Sequence, residues 1–381
     1  MTQTLDTAEL TRLVRKVFRP QSADRTMALL FDLPDEHLAD NDEWAARRTL
    51  VVDWHGKLAQ ARDELGFDSV NLVAYRNVRR NNADLPAECW RLAAGATPDH
   101  ADRVDLPSVP FEEVFQENRI MIAATQLSAT APMKLNAPRH GFRAATMPGF
   151  TLPMIPALRL DWEEIHERCV ALKDRLDRAV AAELRFSAAG ADHDLTIDLR
   201  HRHATASGGL VIEPGTAGNL PSGETYIVPY EGEVEGDRSR TSGLLPVELD
   251  GELLTYRIEH NRIVEVIGDG PVAERERAEV QAEPAYANMA ELGLGLLADY
   301  GIRPVGEILL DEKLALHIAF GRSDHFGGQV GAADFSSPDK VIHIDRVYLP
   351  EVQPSIRVAS VDLVQDDPEE RVPLIRDGSY V

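Results

Sequence analysis

The stretch Thr26–Tyr75, TMALLFDLPDEHLADNDEWAARRTLVVDWHGKLAQARDELGFDSVNLVAY, reads as strand, helix, strand. TMALLF (Thr26–Phe31) is an apolar run of strand length, Glu43–Leu65 is helical in pattern, and SVNLVAY (Ser69–Tyr75) returns to strand. A unit of this kind builds an α/β layer. Outward from it, RIMIAA (Arg119–Ala124) reads as a third strand and Arg143–Met147 as a fourth. Asp161–Val180 is expected to be a helix, because Ile165, Cys169, Leu172, Leu176 and Ala179 recur at helical spacing with charges opposite. None of the strand-to-helix turns carries a GxGxxG or Walker fingerprint, so a nucleotide site is not supported.

From about Leu184 the pattern changes. LTIDL (Leu195–Leu199), TYIV (Thr225–Val228), LLTYRI (Leu253–Ile258) and RIVEVI (Arg262–Ile267) read as short strands between turn clusters such as Gly208-Gly209 and His260-Asn261. Glu279–Leu297 reads as a helix, and strands return near Ile308–Leu310, His317–Phe320 and Val341–Ile344. The acidic stretch Asp366–Glu370 is expected to be exposed. At 381 residues the chain exceeds what one core usually organises. The expected fold class is therefore an α/β N-terminal domain over 1–183, followed by a β-rich α+β C-terminal domain over 184–381.

Composition narrows the function classes. Hydrophobic residues make up 44% and charged residues 27%, as in a globular protein rather than a disordered one. No apolar run approaches the roughly 18 residues that span a bilayer, so no membrane partner is expected. The N-terminus, MTQTLDTAELTRLVRKVF, lacks an apolar signal core, and secretion is not expected. The two cysteines, Cys89 and Cys169, make neither a disulfide framework nor a cysteine zinc site, which points to a cytoplasmic protein whose metal, if any, is held by nitrogen and oxygen. A net charge of -23 argues against nucleic acid as a partner.

Four segments gather histidines and carboxylates beside glycines and short apolar runs: NLPSGE (Asn219–Glu224), ELGLG (Glu291–Gly295), DEKLALHIAFG (Asp311–Gly321) and HID (His343–Asp345). Each has a plain reading when taken alone. A Pro-Ser-Gly turn before glutamate ordinarily just enters a strand, Glu291 falls within an expected helix, and a histidine among apolar residues, as at His317, is ordinarily a hydrogen-bonded core residue. His-x-Asp places both side chains on one strand face, which suits joint metal ligation but also occurs by chance.

Their order is what changes the reading. Together the four segments resemble, in order and approximate spacing, the aminopeptidases of the thermophilic metallopeptidase (M29) family, with Gly190–Arg200 (GADHDLTIDLR) similar to that family's GTDL strand. The resemblance is specific over about Gly190–Leu349. Carried over by position, it implies Glu224, Glu291, His317, His343 and Asp345 as metal ligands. It further implies two divalent ions, zinc first with cobalt or manganese as alternatives, a peptide or small amide substrate, and a homodimer. Glu312 is the candidate for proton transfer, weighed evenly against a plain ion pair with a nearby Arg or Lys. Family members commonly carry a tyrosine shortly after the HxAxG histidine. Here Arg322–Gly328 has none, and His325 is the candidate replacement as oxyanion donor, weighed against a loop histidine facing solvent.

The expected function is hydrolysis of an N-terminal peptide or amide bond by a water activated between two metals. Three alternatives stand beside it: a dedicated amide hydrolase of specialised metabolism, a mononuclear Fe(II) ring-cleaving dioxygenase of the same superfamily, and a non-catalytic binding protein on this fold.

Overall fold

The computed structural model describes residues 4–366 and 370–381, so most of the acidic stretch Asp366–Glu370 lies outside the described residues. The chain forms two compact units. One comprises the chain up to His166 together with Ser207–Ser222 and Val305–Leu310; the other comprises Glu167–Ala206, Gly223–Pro304 and the chain from Asp311 onward.

The first unit is built on a seven-stranded sheet in the order Ala217–Asn219, Arg143–Thr146, Ile120–Ala123, Thr26–Leu33, Ser69–Arg76, Glu88–Leu92, Val109–Pro110. Pairing is parallel from the first of these through Ser69–Arg76 and antiparallel beyond it. Seven of the eight residues of Thr26–Leu33 are buried, the continuous apolar pattern of a central strand covered on both faces. Helix Asp42–Gln60 follows, capped by the Asn41 side chain on the Trp44 amide. Phe111, Phe115, Phe142 and Tyr75 pack in the core of this unit.

The second unit is built on two sheets, the larger antiparallel throughout. Eight strands run in the order Arg262–Ile267, Glu252–Glu259, Ser242–Leu249, Ala191–Asp198, Ala179–Ala188, Ile356–Gln365, Arg371–Arg376, Ser379–Tyr380. Five more run His343–Val347, Leu316–Gly321, Met289–Gly295, Glu224–Ile227, Thr205–Ser207. Among the described residues no helix is long and apolar enough to cross a membrane.

Three local expectations are corrected. The helix expected over Asp161–Val180 spans Trp162–Leu176, and Ala179–Ala188 is a strand. Ala182, Leu184, Phe186 and Ala188 are buried at period two, so the helical spacing of Ala179 was coincidental. The helix expected over Glu279–Leu297 is in fact a helix Pro271–Ala282, a turn Pro284–Ala287 and the strand Met289–Gly295. Pro284 cannot continue a helix. The strand is buried at all seven positions, and such an apolar run has no period to separate it from a buried helix. Ile308–Asp311, expected as a strand from Ile308, is a single helical turn.

Candidate metal centre

All five expected ligands lie on the five-stranded sheet, and its register puts them on one face. Glu224 pairs with Gly295 and Tyr226 with Gly293. Gly293 in turn pairs with His317, and Glu291 with Ala319. Ala319 pairs with Asp345 and Gly321 with His343. Directly opposed residues share a face, so rows of large and small side chains cross the sheet. Gly293 separates Tyr226 from His317, Ala319 separates Glu291 from Asp345, and Gly321 stands beside His343.

This arrangement explains the glycines of ELGLG. A Cβ on Gly293 would lie 1.9 Å from His317 Nε2, because the imidazole crosses the strand at that point. A Cβ on Gly295 would lie 2.3 Å from the Lys313 carbonyl carbon, where the DEK turn packs on the same strand.

The donor atoms converge in two groups that share Glu291. Glu224, Glu291 and His317 form one, and Glu291, His343 and Asp345 the other, with the atoms of each group within 4.8 Å of one another. Glu291 offers one oxygen to each half: Oε1 lies 3.3 Å from His317 Nε2, and Oε2 lies 3.1 Å from His343 Nε2. Both imidazoles have their other nitrogen on a backbone carbonyl, His317 Nδ1 at 3.2 Å from Ala315 O and His343 Nδ1 at 2.8 Å from Arg322 O. With Nδ1–H donating to those carbonyls, both Nε2 atoms face the cluster and offer it a lone pair once their protons leave, the usual preparation of a histidine for a metal. Glu224 Oε2 and Asp345 Oδ1 are buried and meet no hydrogen-bond partner among the described residues. Two orphaned carboxylate oxygens beside two oriented imidazoles fit a divalent cation of the nitrogen- and oxygen-binding kind.

Lys313 stands beside the cluster and was not singled out from the sequence. Its side chain is only 3% exposed, and Nζ donates to Glu224 Oε1 at 2.6 Å and to Glu312 Oε1. Burial would lower its pKa, but the two carboxylates outweigh burial and raise it, so the ammonium stays charged. Glu224 is thereby left with only Oε2 directed at the cluster. Glu312 itself is 16% exposed, pairs with Lys313 and stands outside both donor groups. No local pattern signals Lys313, because its partner Glu224 lies 89 residues away in sequence.

His325 sits in the short turn Asp324–Phe326 with its side chain 31% exposed. Its ring lies edge-on to His343, centroids 5.2 Å apart, and 3.9 Å from Phe326. It is a neighbour of the cluster and belongs to neither donor group. Burial, then the charge of His343, lower its pKa to about 4, so it is neutral at pH 7. Behind the sheet, Arg346 donates to Tyr286 Oη at 2.6 Å, and Tyr286 and Tyr256 both donate to Glu276. That network fixes the opposite face of the strand carrying His343 and Asp345.

Comparison with known proteins accords with this geometry. The sequence model of the thermophilic metalloprotease (M29) family matches residues 159–337, a range that includes Glu224, Glu291 and His317 and ends before His343. Aminopeptidase T of Thermus aquaticus is 28% identical over 278 residues, covering 63% of this chain and 63% of that protein. Aminopeptidase AmpS of Bacillus subtilis (strain 168) is 28% identical over 238 residues, covering 57% of this chain and 53% of that protein. The match thus spans less than two thirds of either relative. Among solved structures, 2,5-dihydroxypyridine dioxygenase from Pseudomonas putida KT2440 superposes with a TM-score of 0.61 at 16% identity, covering 99% of this chain and 98% of that one. Wild-type AmpT from Thermus thermophilus gives 0.55 at 17% identity, covering 98% and 99%. The M29 resemblance read from the sequence holds over the matched residues, and the fold is the mixed α/β arrangement of several sheets that AmpT has.

Two outcomes are expected. Gly293→Ala should abolish metal binding, measured by elemental analysis after dialysis, while circular dichroism stays unchanged, because the new methyl displaces the His317 ring. The second concerns protons. Burial alone would lower both imidazole pKa values, but the hydrogen bonds to Glu291 and the surrounding carboxylates raise His317 to about 10 and His343 to about 9. Both rings are therefore protonated in the metal-free chain at pH 7, and cation binding there should release about two protons, read by calorimetry in buffers of differing ionisation enthalpy. Affinity should rise with pH up to about 9–10. The metal-free chain should show the opposite trend, because raised pKa values stabilise it fully below about 6.5. That stability is lost as pH climbs through the folded values.

Proposed function

We propose that this chain is a metal-dependent hydrolase that cleaves an N-terminal peptide or amide bond, with Glu224, Glu291, His317, His343 and Asp345 holding two divalent ions. The observation that carries the reading is Glu291, whose two oxygens face two separate donor groups. A carboxylate so placed would serve both groups, and each group adds one further carboxylate and one imidazole. The M29 match and the aminopeptidase relatives support the same class. Zinc is the ion we favour, with cobalt or manganese compatible with the same donors.

Divalent ions bound there would supply Lewis acidity, lowering the pKa of water and polarising the scissile carbonyl. The chain's own groups do the rest. Glu291 sets the spacing of the two halves, and the Nδ1 bonds of His317 and His343 hold their rings in line. Lys313 keeps Glu224 turned with one oxygen inward. Glu312 is the proton carrier in this reading, receiving a proton from the attacking water and delivering it to the leaving amine. Its bond to Lys313 holds its carboxyl in place meanwhile. His325, neutral and beside His343, donates to the carbonyl oxygen as negative charge develops there.

A second reading, a mononuclear Fe(II) dioxygenase, has the fold likeness to the Pseudomonas enzyme in its favour. Such a site needs two histidines and one carboxylate. The further carboxylates at Glu224 and Asp345, each with a buried unpartnered oxygen, speak for the larger ligand set.

Elemental analysis with a panel of aminoacyl amides tests the proposal. The expected result is two ions per chain and hydrolysis that chelation abolishes and zinc, cobalt or manganese restores. Asp345→Asn should remove that activity while the protein stays folded. One iron per chain with cleavage of an aromatic ring would overturn the reading in favour of the second. His325→Ala should lower kcat by about 10²-fold, as for loss of one oxyanion donor, with metal content unchanged. An unchanged kcat would return His325 to the role of a loop residue.

A further inference from the structure

We infer that Glu231 is a positioning residue whose carboxylate ties the neck of the loop Ser323–Val330 and so holds His325 beside the candidate ligand His343. The inference rests on the role given to His325 above, and its own footing is a set of contacts away from the metal donors.

Glu231 follows the strand Glu224–Ile227, with only 6% of its side chain exposed. Oε1 accepts from Ser323 Oγ at 2.6 Å and from Asn288 Nδ2 at 2.7 Å. Oε2 accepts from the Gln329 amide at 2.5 Å and faces Arg202 Nη2 at 3.4 Å. Ser323 and Gln329 stand at opposite ends of the loop. Its neck is closed by the Ser323 and Asp324 amides, which donate to Val330 O at 2.9 and 3.0 Å, and by the Val330 amide, which donates to Ser323 Oγ at 3.2 Å. Asn288 immediately precedes the strand carrying Glu291 and also donates to Gly321 O, the end of the strand carrying His317. One carboxylate therefore joins the loop to both central ligand strands.

The tip of that loop is where chemistry would be felt. His325 and Phe326 lie 5.2 and 5.3 Å from the His343 ring, and Phe326 packs 4.6 Å from Tyr226. A carboxylate held by Asn288 and Arg202 is a rigid anchor for the loop, because Ser323 Oγ and the Gln329 amide lose their acceptor if the loop moves. Glutamine cannot replace it. Whichever way the amide turns, its NH2 faces the donor of Asn288 or that of Gln329.

The test uses the full chain loaded with zinc, comparing wild type, Glu231→Gln, His325→Ala and the double variant. Hydrogen exchange in Glu231→Gln should accelerate within 323–330 and nowhere else, with zinc content unchanged. With the aminoacyl amide, kcat should fall about tenfold to 10²-fold with KM little changed, the range for a misplaced group. In the His325→Ala background the same substitution should cost almost nothing further. Unaltered exchange would overturn the latch, and an undiminished loss in the double variant would overturn its action through His325. If the wild-type protein hydrolyses no amide, the hydrolase reading fails separately. Exchange and zinc content still decide the latch in that case, loosening with zinc retained supporting it and no loosening overturning it. Ser323→Ala removes one contact from the other side and should give the same exchange pattern at smaller size, which guards against a Glu231→Gln chain that fails to fold.

Discussion

Burying several carboxylates on one face of a sheet creates a problem of charge, and much of the second unit is arranged around it. Glu224, Glu291 and Asp345 place oxygens in two groups whose atoms lie within 4.8 Å of one another. Two like charges 4 Å apart repel by about 4 kcal/mol at an effective dielectric of 20. Without cations the structure answers with protons and an ammonium. His317 and His343 hold their protons well above the ordinary imidazole range, Glu291 is pulled well below the carboxylate range, and Lys313 stays charged against Glu224 and Glu312. For Glu291 burial works the other way, and the hydrogen bonds from the two imidazoles overcome it. The same electrostatics that suits a cation also favours these protons.

Sterics follow from that arrangement. Carboxylates and imidazoles can converge on a flat sheet only if the residues between them have almost no side chain. Gly293, Ala319 and Gly321 supply the gaps, with Gly295 admitting the turn that delivers Lys313. A strand with glycines weakens its own packing. Burial of all seven residues of Met289–Gly295 between paired neighbours on both sides offsets that weakness.

The layout of the first unit was legible because its strands are short apolar runs bounded by turns and helices, and Thr26–Leu33, Ser69–Arg76 and Ile120–Ala123 lie close to where their runs predict. Met289–Gly295 was not legible as a strand, since an apolar run with two glycines carries no alternation to read. Knowing that His317 would lie across Gly293 required the register, which no local pattern contains. The five expected donors could be named through the family resemblance that the order of their segments carries, but Lys313 and Glu231 could not. Both act through partners far away in sequence: Lys313 Nζ reaches Glu224, and Glu231 reaches Ser323 and Gln329. A lysine or a glutamate seen alone gives no sign of such a partner.

Charge also bears on the choice between the proposed readings. Around the cluster four carboxylates, Glu224, Glu291, Asp345 and Glu312, face one ammonium, Lys313. With both imidazoles neutral, three negative charges remain. A single divalent ion would leave the buried site negative, a poor setting for a reaction that builds negative charge on a carbonyl oxygen. Two would leave it with one positive charge, the sign that stabilises such a charge in a water-poor site. A lone iron would leave the carboxylates of the other donor group to the proton of that group's imidazole, as in the metal-free chain. This charge count supports the proposed two-ion reading, and Lys313 offsets one of the four carboxylates in it.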